Sequence, residues 1–232
     1  MILRRHAAAD GRLISNFGEC VFQTPSTSDF CPAGISCDSH AMHGSANDVY
    51  TIRPAGLADA EALCAFKRKV FGETEFLLQG LEDFDDQIEI ERDLIGRFHH
   101  QSNSVLVLAV IGDGQVVGLC SIVGGHLWRT RHVGTMSIGV LEAWWRRGIG
   151  RRLMVQTIRW ADENPLLEKL ALQVHATNTA ARAMYHGLGF VEEGLLRGEA
   201  KLGAGEDDLV PMGLRLPKRP GTMTHGLVRT WD

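Results

Sequence analysis

The order of predicted elements indicates a mixed α/β (α+β) fold, in which helices cover both faces of one sheet. Two observations carry this prediction. Two apolar stretches between residues 104 and 123 flank Gly112-Asp113-Gly114, a strong hairpin signal. After residue 140, strand patterns alternate with helical patterns, as in sheets whose strands are connected by helices. The predicted order is β-α-α-β-β-β-α-β-α-β-β.

The first half of the folded part is predicted to hold a strand, two helices and the hairpin. Residues 49–55 alternate in polarity and end near Pro54, which favours a strand. Asp59 can cap the first helix, and a second helix is predicted from about Asp83 to His99. Apolar side chains recur in the first helix at spacings of three and four residues: Leu63, Phe66 and Val70.

The second half begins with a strand and continues with helices and strands in alternation. Met136, Ile138 and Val140 alternate with small or polar residues, which is typical of a strand. The elements predicted after it are a helix from about Gly148 to Glu163, a strand over 167–176, a short helix holding Tyr185, and strands over about 190–196 and 208–216.

Length, charge and cysteine content narrow the class of protein. The chain of 232 residues can form one large core, and its net charge of -4 gives no reason to expect nucleic-acid binding. No apolar run approaches the roughly 18 residues that span a bilayer, so no membrane association is expected. Arg4 and Arg5 are not followed by an apolar segment, which argues against a secretory signal. The odd number of five scattered cysteines favours a reducing cytoplasm.

The two ends of the chain differ from the middle. Residues 1–48 show no sustained periodicity and are predicted to be a disordered extension of a folded domain over 49–216. Residues 217–232 form a tail without a pattern. An alternative for the extension is a zinc site, but the ligand spacing matches no common zinc finger, so no metal is expected. The four candidate ligands are Cys31, Cys37, His40 and His43.

An acidic stretch follows the first predicted helix. Between Glu73 and Asp93 the chain carries nine acidic residues and one basic residue, Arg92. Two interpretations remain open: a solvated helix face, or a surface that attracts a cationic amine.

A glycine turn, which we define as residues 146–150, joins a strand to a helix. Gly148 and Gly150 leave the backbone at the helix N-terminus accessible, and free amides there bind anions. Arg146, Arg147, Arg151 and Arg152 surround the turn with positive charge, which points to a phosphorylated ligand. The dinucleotide-binding pattern fails because Leu153 occupies its third glycine position, and the P-loop pattern fails because no GK[ST] follows.

Two motifs in this order resemble the GCN5-related N-acetyltransferase (GNAT) superfamily. The first is WWRRGIG at 144–150, and the second is NTAARAMYHGLGF at 178–190, with a strand between them. The resemblance covers about 49–216. It implies the GNAT fold, a mixed, mostly antiparallel sheet of about seven strands with helices on both faces. It also implies an enzyme, an N-acetyltransferase that transfers the acetyl group of acetyl-CoA to a primary amine.

The resemblance assigns residues to the donor. The pyrophosphate is expected on backbone amides of the glycine turn, and the pantetheine arm along the strand before it. Asn178 matches the family asparagine that contacts the arm, although an N-cap role alone is the alternative. Trp145 departs from the family pattern, which has Gln or Arg there. The expected donor-binding residues are Ile138, Gly139, Val140, Arg146, Arg147, Gly148, Ile149, Gly150, Arg151, Asn178, Ala181 and Tyr185.

The resemblance also assigns catalytic roles. Tyr185 matches the general acid that protonates the leaving thiolate, although it can instead be a packing residue. A backbone amide near Val140 is expected to stabilise the oxyanion. For the base that deprotonates the amine, the residues leave three candidates open: Glu75, His175 and His132. Neither Cys64 nor Cys120 has a neighbouring motif that marks a nucleophile, so direct attack in a ternary complex is expected.

Two further alternatives remain at the level of sequence. The acceptor can be a small cationic amine or an amine of a protein or peptide. The chain can instead be a non-catalytic acyl-CoA-binding regulatory module that keeps the donor site without turnover. A homodimer is compatible with the resemblance, which selects no surface for it.

Overall fold

A computed structural model of the chain shows one eight-stranded sheet with helices packed on it. The structure describes residues 50–217, so the predictions for 1–48, including the four candidate zinc ligands, and for 218–232 lie outside the described residues. The strands are β1 (Tyr50–Pro54), β2 (Val105–Ile111), β3 (Val116–Gly124), β4 (Val133–Val140), β5 (Lys169–His175), β6 (Val191–Glu192), β7 (Leu196–Leu202) and β8 (Gly205–Arg215). The helices are α1 (Ala60–Glu73), α2 (Ile88–His100), α3 (Ile149–Glu163) and α4 (Thr179–His186).

The sheet is mixed and mostly antiparallel, as the sequence predicts. Its strand order is β1-β2-β3-β4-β5-β8-β6, and β7 also pairs with β8. Every neighbouring pair is antiparallel except β4 and β5, which run parallel. These two parallel strands are connected through α3, because a parallel connection needs a crossover.

The helices lie on both faces of the sheet, and small residues on the central strands let them approach. A Cβ at Gly118 of β3 would meet Leu153 and Ile149 of α3, so α3 packs on that face. A Cβ at Gly139 of β4 would meet α1 on the opposite face. Both layers are well buried, and each buried Leu or Ile contributes about 1.5–3 kcal/mol. Fully buried core residues include Leu63, Ile95, Leu108, Ile122, Leu153 and Leu170.

The second helix begins later than predicted. A short 3-10 turn at Leu81–Asp83 comes first, and α2 starts only at Ile88. The Asp83 carboxylate accepts a hydrogen bond from the Gly80 N–H at 3.2 Å, which holds the turn apart from the helix. The backbone is extended at Phe84 and at Gln87, so the helix cannot run through this segment.

Asp59 lies at the N-cap position of α1 but does not cap it with its side chain. Its carboxylate instead accepts two hydrogen bonds from Arg53, at 2.6 and 2.7 Å, and one from the Gly56 N–H at 2.7 Å. The charged partner therefore outcompetes the helix amides for this carboxylate.

The predicted strand over about 190–196 is only the short β6, and the sequence did not indicate the separate strand β7 that follows it. β6 ends at Glu192 and pairs with β8 at Met212 and Gly213, whereas β7 begins at Leu196 and pairs with β8 between Gly205 and Leu209. The break raises the strand count from about seven to eight. Among the described residues, no helix is long and apolar enough to cross a membrane.

Candidate functional site

The glycine turn forms an anion-binding shape at the start of α3. Arg146 has a φ of 59° and Gly148 a φ of 78°, so two residues of one turn lie in the left-handed region. The first backbone bond of α3 runs from the Arg152 N–H to the Gly148 C=O at 3.0 Å. The N–H groups of Ile149, Gly150 and Arg151 therefore precede the helical ladder and have no intrahelical acceptor. Together with the helix dipole, they give this turn the geometry and charge that suit a phosphate group.

The arginines near the turn do not all face it. Arg152 donates to the hydroxyl of Tyr50 on β1 at 2.8 Å, so its charge is directed away from the turn. The Arg147 guanidinium lies over the Trp144 ring, 4.7 Å from its centroid. The backbone amides, rather than four converging guanidinium groups, are the main feature of the site.

A gap opens between β4 and β5 next to the glycine turn. The two strands pair only from Val133 to Thr135 of β4, whereas β4 continues to Val140. The Leu141 N–H donates to the Val117 C=O, so odd-numbered residues of β4 bond to β3 and even-numbered ones face β5. The N–H groups of Ile138 and Val140 therefore point into this β4–β5 gap.

The edge of β5 contributes to the same gap. The Ala176 N–H donates to the Asp208 C=O at 2.8 Å, so even-numbered residues of β5 bond to β8. Gln173 and His175 consequently direct their backbone N–H groups toward β4. An extended ligand could bind in the gap as an added strand would, between two edges that both offer backbone donors.

Three predicted donor-binding residues have backbone groups that the protein already uses. The Val140 C=O accepts from the Trp145 indole N–H at 2.7 Å, which ties the glycine turn to the end of β4. Gly139 directs its N–H and C=O to β3, so a ligand could make van der Waals contact with Gly139 but no backbone hydrogen bond. The Ala181 N–H donates to the Asn178 side chain at 3.1 Å, which makes Asn178 the N-cap of α4.

Tyr185 lies on α4, on the same face of the sheet as α3. Its side chain is buried and its ring packs against Phe190, with centroids 6.0 Å apart. Burial raises the pKa of the Tyr185 phenol above its usual range, and the neighbouring Cys120 adds to the rise. Its hydroxyl has no hydrogen-bond partner among the described residues, so the phenol proton is available to a ligand.

A cavity of about 960 Å³ lies on the opposite face of the sheet, between the 71–83 segment, β5, β7 and β8. We call it the acidic cavity, because five carboxylates and a single lysine, Lys201, line it. Lys201 is already paired with Glu206 at 2.8 Å. The lining carboxylates are Glu73, Glu75, Glu82, Asp83 and Glu199.

The acidic stretch predicted from the sequence divides into two parts. Its first four acids line the acidic cavity, whereas three of the five later ones are paired with basic side chains. Asp86 pairs with Arg68, and Glu91 with Lys67 at 2.8 Å. The first segment keeps the interpretation as a surface for a cationic amine open, and the ion pairs explain part of the second.

The candidate bases lie in different surroundings. His175 is 1% exposed, lines the acidic cavity and is covered by Phe76, whose ring centroid lies 5.8 Å away. Glu75 also lines the cavity, against the β7–β8 turn near Gly203. His132 precedes β4 at the end where β4 and β5 pair, away from the gap.

The sequence patterns do not indicate the partners of His175. Asp207 on β8 lies 3.0 Å from the Nδ1 of His175 and also accepts from the Thr177 hydroxyl at 2.6 Å. Sequence separation of 32 residues hides this contact, and only the strand pairing of β5 with β8 brings the two together. Within residues 50–217, no group of three or more His, Cys, Asp or Glu side chains could hold a metal ion.

Structural comparisons reveal many similar folds. An acetyltransferase of the GNAT family from Streptococcus pneumoniae has 28% identity and a TM-score of 0.69, covering 72% of this chain and 99% of that one. A ribosomal-protein-alanine N-acetyltransferase from Brucella melitensis has 26% identity and a TM-score of 0.63, covering 72% and 99%. The Salmonella typhimurium protein yncA, solved with its cofactor acetyl-CoA, has 20% identity and a TM-score of 0.65, covering 74% and 96%. At that identity it supports the fold alone.

The comparison with curated protein sequences gives no match. A family model does match, over residues 71–190, just over half of the 232 residues, and it includes both the glycine turn and Tyr185. Its description is the acetyltransferase (GNAT) family. The chain belongs to this family of acetyltransferases.

Proposed function

We propose that this chain is an acetyl-CoA-dependent N-acetyltransferase that acetylates a primary amine by direct attack in a ternary complex. One observation carries the proposal: the β4–β5 gap connects two sites of opposite character. The glycine turn lies on the α3 face of the sheet and suits an anion. The acidic cavity lies on the other face and suits a cation.

The residues of the glycine turn fit the phosphates of acetyl-CoA. Neither Gly148 nor Gly150 has a side chain that would separate a phosphate from the first-turn amides. The free edges of β4 and β5 suit the amide groups of a pantetheine arm, which needs both donors and acceptors along its length. The yncA structure from Salmonella typhimurium, which holds acetyl-CoA in a similar fold, adds support.

Bound acetyl-CoA would supply its acetyl group as a thioester, and residues around the gap can assist the transfer. The Val140 N–H faces the gap and can donate to the carbonyl oxygen as negative charge develops. The Tyr185 hydroxyl can give its proton to the departing sulfur. The raised pKa of Tyr185 keeps the phenol protonated but makes it a weak acid, so we expect a modest acceleration from it.

The cysteines of the described part favour direct attack over a covalent acetyl-cysteine route. Burial and the nearby Asp86 raise the pKa of Cys64 to about 11. Burial raises the pKa of Cys120 to about 12. Both thiols stay protonated near neutral pH, whereas a nucleophilic cysteine needs the thiolate.

The acidic cavity favours a cationic acceptor. Glu75, Glu82 and Glu199 have no hydrogen-bond or ion-pair partner among the described residues, so their charges are available to an ammonium group. A polyamine-like amine and a basic peptide both satisfy this requirement. The likeness to the Brucella melitensis ribosomal-protein-alanine N-acetyltransferase keeps a protein N-terminus among the candidates.

The test is release of free CoA thiol from acetyl-CoA across a panel of amines. The panel holds polyamines, aminoglycosides, amino acids and short peptides with free N-termini, and alcohols of matched skeleton serve as controls. We expect release with cationic amines and none with alcohols. The variant Glu199→Gln should raise KM for the amine severalfold and leave KM for acetyl-CoA unchanged, whereas Glu61→Gln on the exposed side of α1 should change neither.

A non-catalytic acyl-CoA-binding regulatory module is the alternative function. It retains the glycine turn and the gap but needs no acceptor. Tight acetyl-CoA binding without thiol release, on the amine panel and on a basic peptide library, would favour this alternative. Absence of both binding and release would refute the donor site itself.

A further inference from the structure

Asp207 is a buried carboxylate with several hydrogen bonds on β8. It is 7% exposed, and its Oδ2 accepts from the Thr177 hydroxyl at 2.6 Å and lies 3.0 Å from the Nδ1 of His175. Its Oδ1 accepts from the Asp208 N–H at 2.9 Å. The hydrogen bond from Thr177 lowers the pKa of Asp207, and the bond from His175 lowers it further. Asp207 is therefore ionised near neutral pH.

An ionised Asp207 determines which nitrogen of His175 carries the proton. A carboxylate can only accept hydrogen bonds, so the contact at 3.0 Å requires a proton on Nδ1. In the neutral imidazole, the lone pair then lies on Nε2. The Nε2 atom makes no hydrogen bond within residues 50–217. It is also not completely buried, so a ligand can reach it.

The His175 side chain lines the acidic cavity, and Nε2 is the ring nitrogen that Asp207 does not hold. Gln173 and His175 share the face of β5 that borders the cavity, while Leu172 and Val174 point to the α3 face. The Phe76 ring packs edge-on against His175 and limits the access of bulk water. The lone pair is thus directed at the space that we assign to the acceptor amine.

We propose that Asp207, held by Thr177, is a positioning residue that fixes His175 with its Nε2 lone pair toward the acceptor, and that His175 is the general base. This inference rests on the proposed function. The equivalent arrangement in other enzymes is a histidine base whose second nitrogen is held by a carboxylate.

The proton and electron balance of the step is simple. A proton moves from the acceptor ammonium to Nε2, and the imidazole becomes an imidazolium stabilised by Asp207. The freed amine lone pair forms the C–N bond while the C–S bond breaks and its electron pair leaves with sulfur. The positively charged nitrogen then releases its second proton to solvent and becomes the neutral amide. Tyr185 supplies a proton to that sulfur, and solvent exchange then restores Tyr185 and neutral His175.

The key variant is Asp207→Asn, with Asp208→Asn as the matched control. Asp208 is the next residue and accepts from the Gly198 N–H at 2.9 Å, away from His175. We expect Asp207→Asn to lower kcat about tenfold or more, because it weakens a general base whose full contribution is about 10²–10⁴-fold. KM for acetyl-CoA should not change, and Asp208→Asn should leave both constants as in the native protein.

The pH profile separates positioning from a purely structural role. Without the carboxylate, the imidazolium loses its stabilising neighbour, so the acid limb of the kcat profile should move to lower pH in Asp207→Asn. The Phe76 side that covers His175 is apolar, and Asp207 is the charged group in direct contact with it. The other charged groups of the cavity stay in place in this variant: Glu73, Glu75, Glu82, Asp83, Glu199 and Lys201.

Nitrogen NMR of the native protein gives a second readout that needs no turnover. Imidazole ¹⁵N shifts, assigned with a His175→Gln variant, should show the proton on Nδ1. If Asp207→Asn fails to fold, Thr177→Val provides the kinetic test, because it removes one of the two side-chain contacts and keeps the charge. We expect a smaller fall in kcat for Thr177→Val than for Asp207→Asn.

The outcomes distinguish this inference from the proposed function. If the native protein is active but Asp207→Asn has unaltered kinetics and pH profile, the role of Asp207 is overturned and the proposed function stands. The same holds if the native protein is active and the proton of His175 lies on Nε2. If the native protein acetylates no amine, the proposed function and this role both fall.

Discussion

The substitution Gly150→Ala should separate the stability of the fold from the affinity for the donor. Gly150 is the second residue of α3, and an alanine Cβ would lie 3.7 Å from both Ile138 and Val140, an ordinary contact. Replacing a helical glycine by alanine stabilises a protein by about 0.5–1 kcal/mol. The free energy of unfolding without ligand should therefore rise slightly.

The same methyl group should weaken acetyl-CoA binding. It would project from the first turn of α3 toward Ile138 and Val140, beside the amides where we place the pyrophosphate, and should keep a phosphate from close approach to one or two of them. Each charge-assisted hydrogen bond contributes about 1.5–3 kcal/mol, so Kd should rise about tenfold or more. Calorimetric titration with acetyl-CoA measures the affinity, and urea unfolding measures the stability.

Gly96→Ala is the matched control, because Gly96 is also helical and a Cβ there meets nothing within 4 Å. It should raise the stability by a similar amount and leave the affinity unchanged. Normal acetyl-CoA affinity in Gly150→Ala would refute the reasoning, since it would mean that the phosphates do not approach these amides.

Three further predictions use other parts of the site and fold. Gly148→Glu should abolish acetyl-CoA binding, measured by calorimetry, because it places a carboxylate in the anion site. Gly148→Ala is the control: it imposes the same backbone strain at a φ of 78° without the charge, and it should retain weak binding. Equal loss of binding in both variants would assign the effect to backbone strain. Tyr185→Phe should lower kcat and leave the Kd of acetyl-CoA unchanged, and an unaltered kcat would make Tyr185 a packing residue. The hydrogen bond from Arg53 lowers the pKa of Asp59 in the folded protein. The stabilisation from this ion pair is therefore present above the pKa of Asp59 in the unfolded chain, about 4, and is lost as the pH falls below that value. The unfolding temperatures of the native protein and of Asp59→Asn should converge at such low pH.

Sequence patterns predicted most of the sheet because they depend on local properties. The alternation before residue 140 and the hairpin glycines correspond to β4 and to the turn between β2 and β3. The glycine turn was also predictable, since strand, glycines and helix follow each other directly along the chain. Its shape, with Arg146 and Gly148 in the left-handed region, supports the same anion-binding prediction.

Contacts between distant segments were beyond the sequence patterns. Nothing local indicates that Asp207 lies beside His175, because the register of β5 and β8 decides it. Likewise, the sequence does not indicate which carboxylates of the acidic stretch form ion pairs, as Glu91 does with Lys67, and which remain unpaired. The late start of α2 follows from a turn whose carboxylate bonds to the Gly80 N–H, which competes with helix formation.

The gap between β4 and β5 also has a mechanical consequence. Only three residue pairs connect these strands, so the sheet consists of two halves, β1–β4 and β5–β8, that are joined at one end and separate at the other. We call these two halves the arms of the sheet. An extended ligand bonded to both edges would brace the arms and protect the Ile138 and Gln173 amides from hydrogen exchange. In the mechanism that we propose, the residues around the reacting atoms come from both arms, Val140 from one and His175 from the other. Binding of the first substrate would therefore set the spacing at which the second one reacts.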